Sequence, residues 1–413
     1  MRVGIYPGLA EPTDGGSFTI VSELCRALAS RVGQDRHEFV VLAPKRSFAL
    51  QSACRGMSVL TLEDRVLPIS TLGRIRQKAT SLAHHAAGFD WAPNCAADRF
   101  LRANSIDMAW YSSVWSCLTL NIPYLTTVWD IQHRLQPFFP ELSARREWDV
   151  RERLFSSVLR RAGLVVAGTE AGRDEIERFY GVPRERILIL PHPTPQFLTH
   201  GGEDTPDLQG LTGEFLFYPA QFWPHKNHYG LIEALQLLRC DGVNISLVLT
   251  GSDKGNLAYV RDLITQRNLT HAVRILGFVT EGQLAWLYRH AFALTYVTYF
   301  GPENLPPLEA FAARCPVIAS DVSGATEQLG DAALLVDPRR PKQIADAVKA
   351  LHSDPVLRNC LVERGVARAT RFTPDDFVSG IMKSLDDFEP IRKCWEFSGR
   401  KATEACADPS SRT

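Results

Sequence analysis

YFGPENLPPLEAFAARCPVIA, residues Tyr299–Ala319, holds a Gly/Pro-rich loop that runs directly into a helical stretch with one acidic residue, Glu309. The run before it, Phe292–Val297, is short, apolar and β-prone, and Pro306-Pro307 suits a helix start because the N–H that proline lacks would be unpaired there anyway. Strand, loop and helix in that order make one step of a parallel α/β sheet, with the helix N-terminus beside Asn304 and Leu305. Unpaired backbone N–H groups and the positive end of the helix dipole favour a phosphate at such a point. Glu309, about one turn further in, is placed to accept hydrogen bonds from sugar hydroxyls. An ordinary proline-capped helix has the same signature, so this stretch alone leaves both readings open.

The same alternation of short β-type runs and amphipathic helical runs extends in both directions, which predicts an α/β protein built on doubly wound parallel sheets. Before the quoted stretch, strands are expected at Phe215–Pro219, Ile245–Gly251 and Val273–Gly277, with helices at Asn227–Arg239, Leu257–Arg267 and Glu281–Arg289. After it come strands at Pro316–Ser320 and Ala333–Val336 and helices near Pro341–His352 and Val356–Thr370, giving six strands in this half. An earlier series begins with Arg2–Tyr6 and a helix at Ser17–Ser30. It continues with strands at Phe39–Ala43, Met108–Tyr111, Tyr124–Val128 and Leu164–Ala167 and a long Arg-rich helix at Ser143–Arg161. Residues 46–105 carry no clear pattern beyond an amphipathic stretch at Thr71–Ala87, whose basic residues suit a solvated face or a membrane-facing one.

A polar, Gly/Asp-rich linker at Gly201–Glu214 separates the two series. The expected organisation is an N-terminal Rossmann-like domain over residues 1–200, a C-terminal one over 201–376, a helix at about 377–395 that packs back onto the first, and a disordered tail over 397–413. Two domains also follow from a length of 413 residues. Open sheets of this kind bind ligands off the carboxyl ends of their strands, so the cleft between the two domains is the expected site.

Composition narrows the function classes. Net charge is zero with 22% charged residues, which argues against a nucleic-acid binder, and 45% hydrophobic residues argue against a disordered chain. The nine cysteines are scattered singly without Cys-x-x-Cys spacing, against both structural zinc and a disulfide framework. No signal peptide or bilayer-spanning run is legible, so a cytoplasmic location is expected, with peripheral contact at a membrane face left open.

Three further segments carry chemistry. YPAQFWPHKNH, Tyr218–His228, lies where a strand passes into a helix, and puts Lys226 at the cleft mouth. A lysine there can neutralise a diphosphate that gains charge as its bond to a sugar breaks, with His225 assisting. Gly15 and Gly16 close the first strand–helix loop and permit close backbone approach to a ligand, though a plain turn would look the same. TTVWDIQHRLQPFFPE, Thr126–Glu141, sets Asp130 and His133 at a strand's carboxyl end, where they could orient an acceptor hydroxyl; a locally packed histidine is the alternative. No Asp-x-Asp tripeptide or P-loop occurs, so no metal site and no cofactor are expected.

Taken together, these segments resemble the retaining glycosyltransferases of family 4, which have the two-domain GT-B architecture. The likeness covers nearly the whole chain and is strongest from Phe215 to about Pro338, through YPAQFWPHKNH, LVLTG, RILGFV, the opening stretch and DVSGATEQLGDAALLVDP. It implies that Lys226 grips the donor diphosphate, that Glu309 holds the ribose as the second glutamate of a paired-glutamate motif, and that Asn304 and Leu305 give backbone N–H groups to phosphate. Phe278 and Val279 would border the base, Gly15 and Gly16 would lie near the phosphates, and Asp130 or His133 would meet donor sugar and acceptor. Two positions depart from the pattern. Gly301 stands where the family has its first glutamate and Gln221 where an arginine usually precedes the lysine, so the loop through Gly301, Pro302 and Asn304 would hold the sugar mainly by backbone groups and Asn304. A subgroup with FGPxNLPPLEA sequences is similar to this chain and is associated with mannosyl- and rhamnosyltransferases of bacterial surface polysaccharides.

The resemblance thus implies metal-independent transfer of a hexose, mannose from GDP-mannose above all, to a glycan or lipid-linked glycan acceptor. Rhamnose or another sugar from dTDP or UDP donors, an inactive nucleotide-sugar-binding scaffold, and a sugar-nucleotide epimerase are the alternatives.

Overall fold

The computed structural model describes residues 1–395 apart from 10, 13–14, 46–48, 64–65, 67–94, 201, 203, 209 and 212. The helix expected at Thr71–Ala87, Asp14 of the glycine loop and the tail from residue 397 lie outside the described residues.

Two parallel sheets organise the chain. The first holds β1 (Arg2–Tyr6), β2 (Glu38–Pro44), β3 (Ser58–Leu62), β4 (Met108–Tyr111), β5 (Tyr124–Thr127), β6 (Leu164–Ala167) and β7 (Ile187–Ile189) in the order β3-β2-β1-β4-β5-β6-β7. The second holds β8 (Phe215–Pro219), β9 (Ser246–Thr250), β10 (Val273–Gly277), β11 (Ala293–Tyr296), β12 (Val317–Ser320) and β13 (Ala333–Val336) in the order β10-β9-β8-β11-β12-β13. β4, β5, β9, β11 and β12 are buried along their whole length, as strands covered by helices on both faces must be. β3 and β7 had no counterpart in the sequence reading: β3 is largely exposed at a sheet edge and β7 has three residues, too little apolar alternation to register.

Each sheet reverses its winding once, between β1 and β4 and between β8 and β11. Loops leaving the carboxyl ends of the strands on either side of such a switch point diverge and leave a crevice. At the second one, the loop after β8 carries Lys226 and the loop after β11 carries the quoted Gly/Pro stretch.

Helices cover both sheets. Those used below are α1 (Gly16–Ala29), α2 (Glu147–Arg161), α3 (Glu170–Tyr180), α4 (His228–Cys240), α5 (Leu305–Ala312) and α6 (Pro374–Arg392). The single helix expected over Ser143–Arg161 is broken: Arg145 and Arg146 adopt left-handed conformations (φ 54° and 62°), which a right-handed helix of L-residues cannot absorb, so α2 begins at Glu147. Its first turn bears Glu147 and Asp149 against the positive helix end.

α6 follows the second sheet in sequence yet packs on the first. Thr373 and Asp376 cap it reciprocally, and Phe377, Ile381 and Leu385, one turn apart, are wholly buried in a cluster with Val3, Ile5, Leu24 and Leu28. The last helix therefore straps the domains together as well as finishing a core. Phe377→Ala should destabilise the protein by about 3–5 kcal/mol, the usual cost of emptying a buried phenylalanine site; urea denaturation followed by tryptophan fluorescence measures it.

Candidate functional site

A cleft of about 1020 Å³ lies between the carboxyl ends of the two sheets, and it gathers residues from loops far apart in sequence. From the first sheet come Gly15, Gly16, Trp129, Asp130, Glu141 and His192; from the second come Gln221, His225, Lys226, Phe278, Val279, Gly301, Pro302, Glu303, Asn304, Leu305 and Glu309.

Lys226 ends a 3-10 turn, Pro224–Lys226, that leads into α4. Its Nζ donates to Tyr296 Oη at 3.0 Å and lies 5.3 Å from the centre of that ring, so the ammonium is aimed into the cleft and held there by a strand residue. The backbone bends because Asn227 takes the left-handed conformation (φ 56°). Asn227 Oδ1 caps α4 by accepting from Gly230 N–H, while its Nδ2 donates to the Val297 and Pro338 carbonyls at 2.9 and 2.8 Å. The loops after β8 and β11 are further joined where Tyr299 N–H and Thr298 Oγ1 both donate to the His225 carbonyl.

Glu309 sits one turn into α5 and is buried, with Tyr288 Oη donating to its Oε2 at 2.5 Å. Desolvation raises its pKa to about 7, against the opposing effect of the tyrosine hydrogen bond. Across the cleft, a side chain added at Gly16 would press on Leu305 at 3.2 Å, and Gly15 (φ 70°) requires the conformational freedom of glycine. The glycine loop thus meets the start of α5 directly.

Residues 14–195 match the family described as Glycosyltransferase Family 4, and residues 208–368 match Glycosyl transferases group 1. The chain belongs to glycosyltransferase family 4. It is similar to O-antigen chain mannosyltransferase B of Escherichia coli, 27% identical over 240 residues, 57% of this chain and 63% of that one. It is also similar to a D-inositol 3-phosphate glycosyltransferase of Pseudarthrobacter chlorophenolicus, 31% identical over 223 residues, 51% of each chain. The matches therefore span between half and two thirds of these relatives' lengths. In fold it resembles Anabaena HepE, a structure determined with UDP and glucose, at a TM-score of 0.67 and 18% identity over 94% of this chain and 100% of that one. The GT-B architecture expected for a family 4 chain is the one observed.

Three site expectations need correction. His133 is not in the cleft. It lies on the short helical turn Gln132–Leu135, wholly buried, with Nε2 2.8 Å from Tyr180 Oη and its ring against Phe155, while Asp130 and Gln132 just before it do line the cavity. Burial lowers its pKa, and its role is to pack that turn against α2 and α3. Asn304 is committed within the protein: its N–H donates to Gln328 Oε1 at 3.0 Å and its Nδ2 to the Gly301 carbonyl at 3.0 Å. Since Pro306 and Pro307 have no N–H, Leu305 alone among the first three residues of α5 offers a backbone donor. The anion cradle is leaner than the loop sequence suggested. Gly301 itself adopts φ 137°, and a side chain there would collide with Asn304, so a carboxylate at this position would require a different loop.

His225 does more than flank Lys226. Its Nδ1 lies 2.6 Å from Oε1 of Glu141, which comes from the other domain. Desolvation lowers the His225 pKa, while for Glu141 burial, the largest single effect, is outweighed by the hydrogen bonds from His225 and from its own backbone taken together with attraction to His225, so its pKa is lowered too and a neutral imidazole donates to a carboxylate. Gln136 Nε2 adds a second link to the Tyr299 carbonyl.

Residues the sequence reading passed over include Glu303. Its carboxyl is buried, Oε1 accepts from His192 N–H at 2.8 Å, and a side chain on Gly168 would coincide with it. Burial raises its pKa to about 8 and lowers that of His192 to about 3, so their 3.6 Å approach is not an ion pair at neutral pH. The one sequence signal was an acidic residue inside an otherwise apolar Gly/Pro loop.

Glu303 and Glu309 both hold protons in the folded protein that the unfolded chain has released, over a window from the ordinary glutamate value of 4.5 up to about 8 and about 7. Stability should therefore decline as pH rises through that window, because the unfolded state binds fewer protons. Melting temperature measured from pH 5 to 8 should fall in the wild type, and Glu303→Gln should flatten the curve.

Proposed function

We propose that this chain is a retaining, metal-independent hexosyltransferase that moves a sugar, mannose from GDP-mannose above all, onto a glycan or lipid-linked glycan of a surface polysaccharide. The observation that carries this reading is the meeting of Lys226, the N-terminus of α5, Glu309 and the Gly15–Gly16 loop in one cleft. The mannosyl assignment is supported by the relative named for that activity, and the neighbour determined with UDP and glucose shares the architecture.

In this scheme the diphosphate lies between Lys226 and Leu305 N–H, where a fixed cation and the positive end of α5 stabilise the charge that develops on departure. Glu309 accepts from ribose hydroxyls; with its pKa near 7 it serves as carboxyl or carboxylate. Phe278, an exposed aromatic on the cleft, offers a face to the base. The C1–O bond to the diphosphate breaks on the same face at which the acceptor oxygen bonds to C1, and the acceptor proton passes to the departing phosphate oxygen. Asp130, on the N-terminal side of the cleft, orients the acceptor. His225–Glu141 and Gln136–Tyr299 hold the two halves of the cleft together, which excludes water and protects the donor from hydrolysis.

In this scheme Lys226 supplies the charge that a metal would otherwise bring. Transfer from radiolabelled nucleotide sugars to lipid-linked acceptors, with the anomeric configuration of the product determined, tests the reading. Retained configuration supports it; free epimerised sugar, or binding without turnover, replaces it with an epimerase or a binding scaffold. Within it, Lys226→Ala should lower kcat/KM by roughly ten- to a hundredfold, the loss of one charge-assisted contact of about 1.5–3 kcal/mol. Unchanged steady-state kinetics would remove the lysine from diphosphate binding.

A further inference from the structure

Between Trp129, His192 and Glu303 the two domains form a corner of the cleft that the diphosphate scheme does not use. His192 follows β7, and its ring lies 5.1 Å from that of Trp129, tilted by 52°. Its side chain is more than nine-tenths buried, yet Nδ1 has no hydrogen-bond partner while Nε2 faces Glu303. Buried polar nitrogens are nearly always paired, so this one, on a residue that lines the cleft, points to a water or ligand atom that completes it. Glu303 lies beside it, with Oε1 accepting from the His192 N–H. It comes from the opposite domain, two residues past Gly301, and its carboxyl displaces any side chain from position 168, which must be glycine for it to fit. Trp129, His192 and Glu303 all line the large cleft beside Asp130 and Leu305, and a small adjoining cavity of about 10 Å³, water-sized, runs between Glu303, Asp130 and Glu175.

The chemistry of this corner is that of a neutral sugar. An aromatic face accepts the apolar C–H side of a pyranose, and an imidazole nitrogen and a carboxyl group exchange hydrogen bonds with vicinal hydroxyls. Burial leaves both titrating groups uncharged at neutral pH, so the carboxyl can donate as well as accept. A sugar bearing its own carboxylate would be set against Asp130 and Glu175, with no side chain lining the small cavity giving a compensating cation.

We propose that Glu303 and His192, backed by Trp129, read the hydroxyls of the donor hexose and select an uncharged sugar. This rests on the reading of the cleft as a nucleotide-sugar site. It also assigns a task to Glu303 that Gly301, with its side chain excluded by Asn304, cannot perform.

Isothermal titration with GDP, UDP, dTDP and ADP and with their hexose conjugates first identifies the matching pair. Glu303→Gln and His192→Phe are then compared with the wild type for the nucleoside diphosphate, the full nucleotide sugar, and analogues lacking one sugar hydroxyl. The expected result is diphosphate binding unchanged within about twofold, with the nucleotide sugar weakened about tenfold, the value of one lost buried hydrogen bond. For one deoxy analogue the difference between wild type and variant should vanish, because the hydroxyl that the residue reads is already gone. Equal weakening of diphosphate and nucleotide sugar, or an undiminished variant effect on every deoxy analogue, would assign the pair to domain packing only and overturn the proposal. Should no nucleotide bind the wild type, the donor-site reading itself falls and this inference with it. His192→Phe keeps the ring against Trp129, so a folding defect in one variant leaves the other to decide.

Discussion

One side chain ties the site together: Asn227. It caps α4 with its oxygen and, with its amide, holds the carbonyls of Val297 and Pro338, which begin the loops after β11 and β13. Three loops, after β8, β11 and β13, are thereby fixed to one left-handed residue, and that residue is what turns Lys226 into the cleft. The fit is polar and buried, so it is demanding; each of the three bonds leaves an unsatisfied group if any loop shifts. Lys226, Tyr296 and the Gly/Pro loop owe their relative positions to it.

The seam between the domains follows a related principle. Carboxyl groups on one domain accept from backbone N–H groups on the other. Glu327 takes those of Glu170 and Ala171 at the start of α3, where the helix dipole adds to the hydrogen bonds, and Glu303 takes that of His192. Glu141 reaches the other way to the backbone and ring of His225. Such contacts are directional and modest in area, in contrast to the apolar strap made by α6, which buries Phe377, Ile381 and Leu385 against the first domain. A polar seam beside an apolar strap suits two bodies that stay joined while the cleft between them changes width.

The signals legible in the chain were those that periodicity carries. Fully buried strands such as Ala293–Tyr296 and Val317–Ser320 appear as short apolar runs, and the Pro306-Pro307 helix start announced α5. The segments that failed were those in which tertiary context overrides local pattern. The Ser143–Arg161 helix reads as continuous because arginine is a good helix former; the two left-handed residues that break it bear no distinguishing composition. His133 and Asp130 looked equivalent, three residues apart at a strand end, yet one helical turn sends the first into the core and leaves the second on the cleft. Glu303 was overlooked because nothing local distinguishes a carboxyl that enters a pocket from one that faces solvent.

By itself, the sequence determined the alternation of strands and helices, the doubled α/β plan, and the loops after β1, β5, β8 and β11 as the places where chemistry gathers. These follow from hydrophobic period and from proline and glycine, which act over a few residues. Only the tertiary structure decided which side chains on those loops share a cavity, that Asn304 spends its donors on Gln328 and Gly301, and that Glu303 and His192 meet across the seam. Those outcomes depend on distances between residues far apart in the chain, 111 positions in the case of His192 and Glu303, and on the removal of water from around them. No local pattern encodes either.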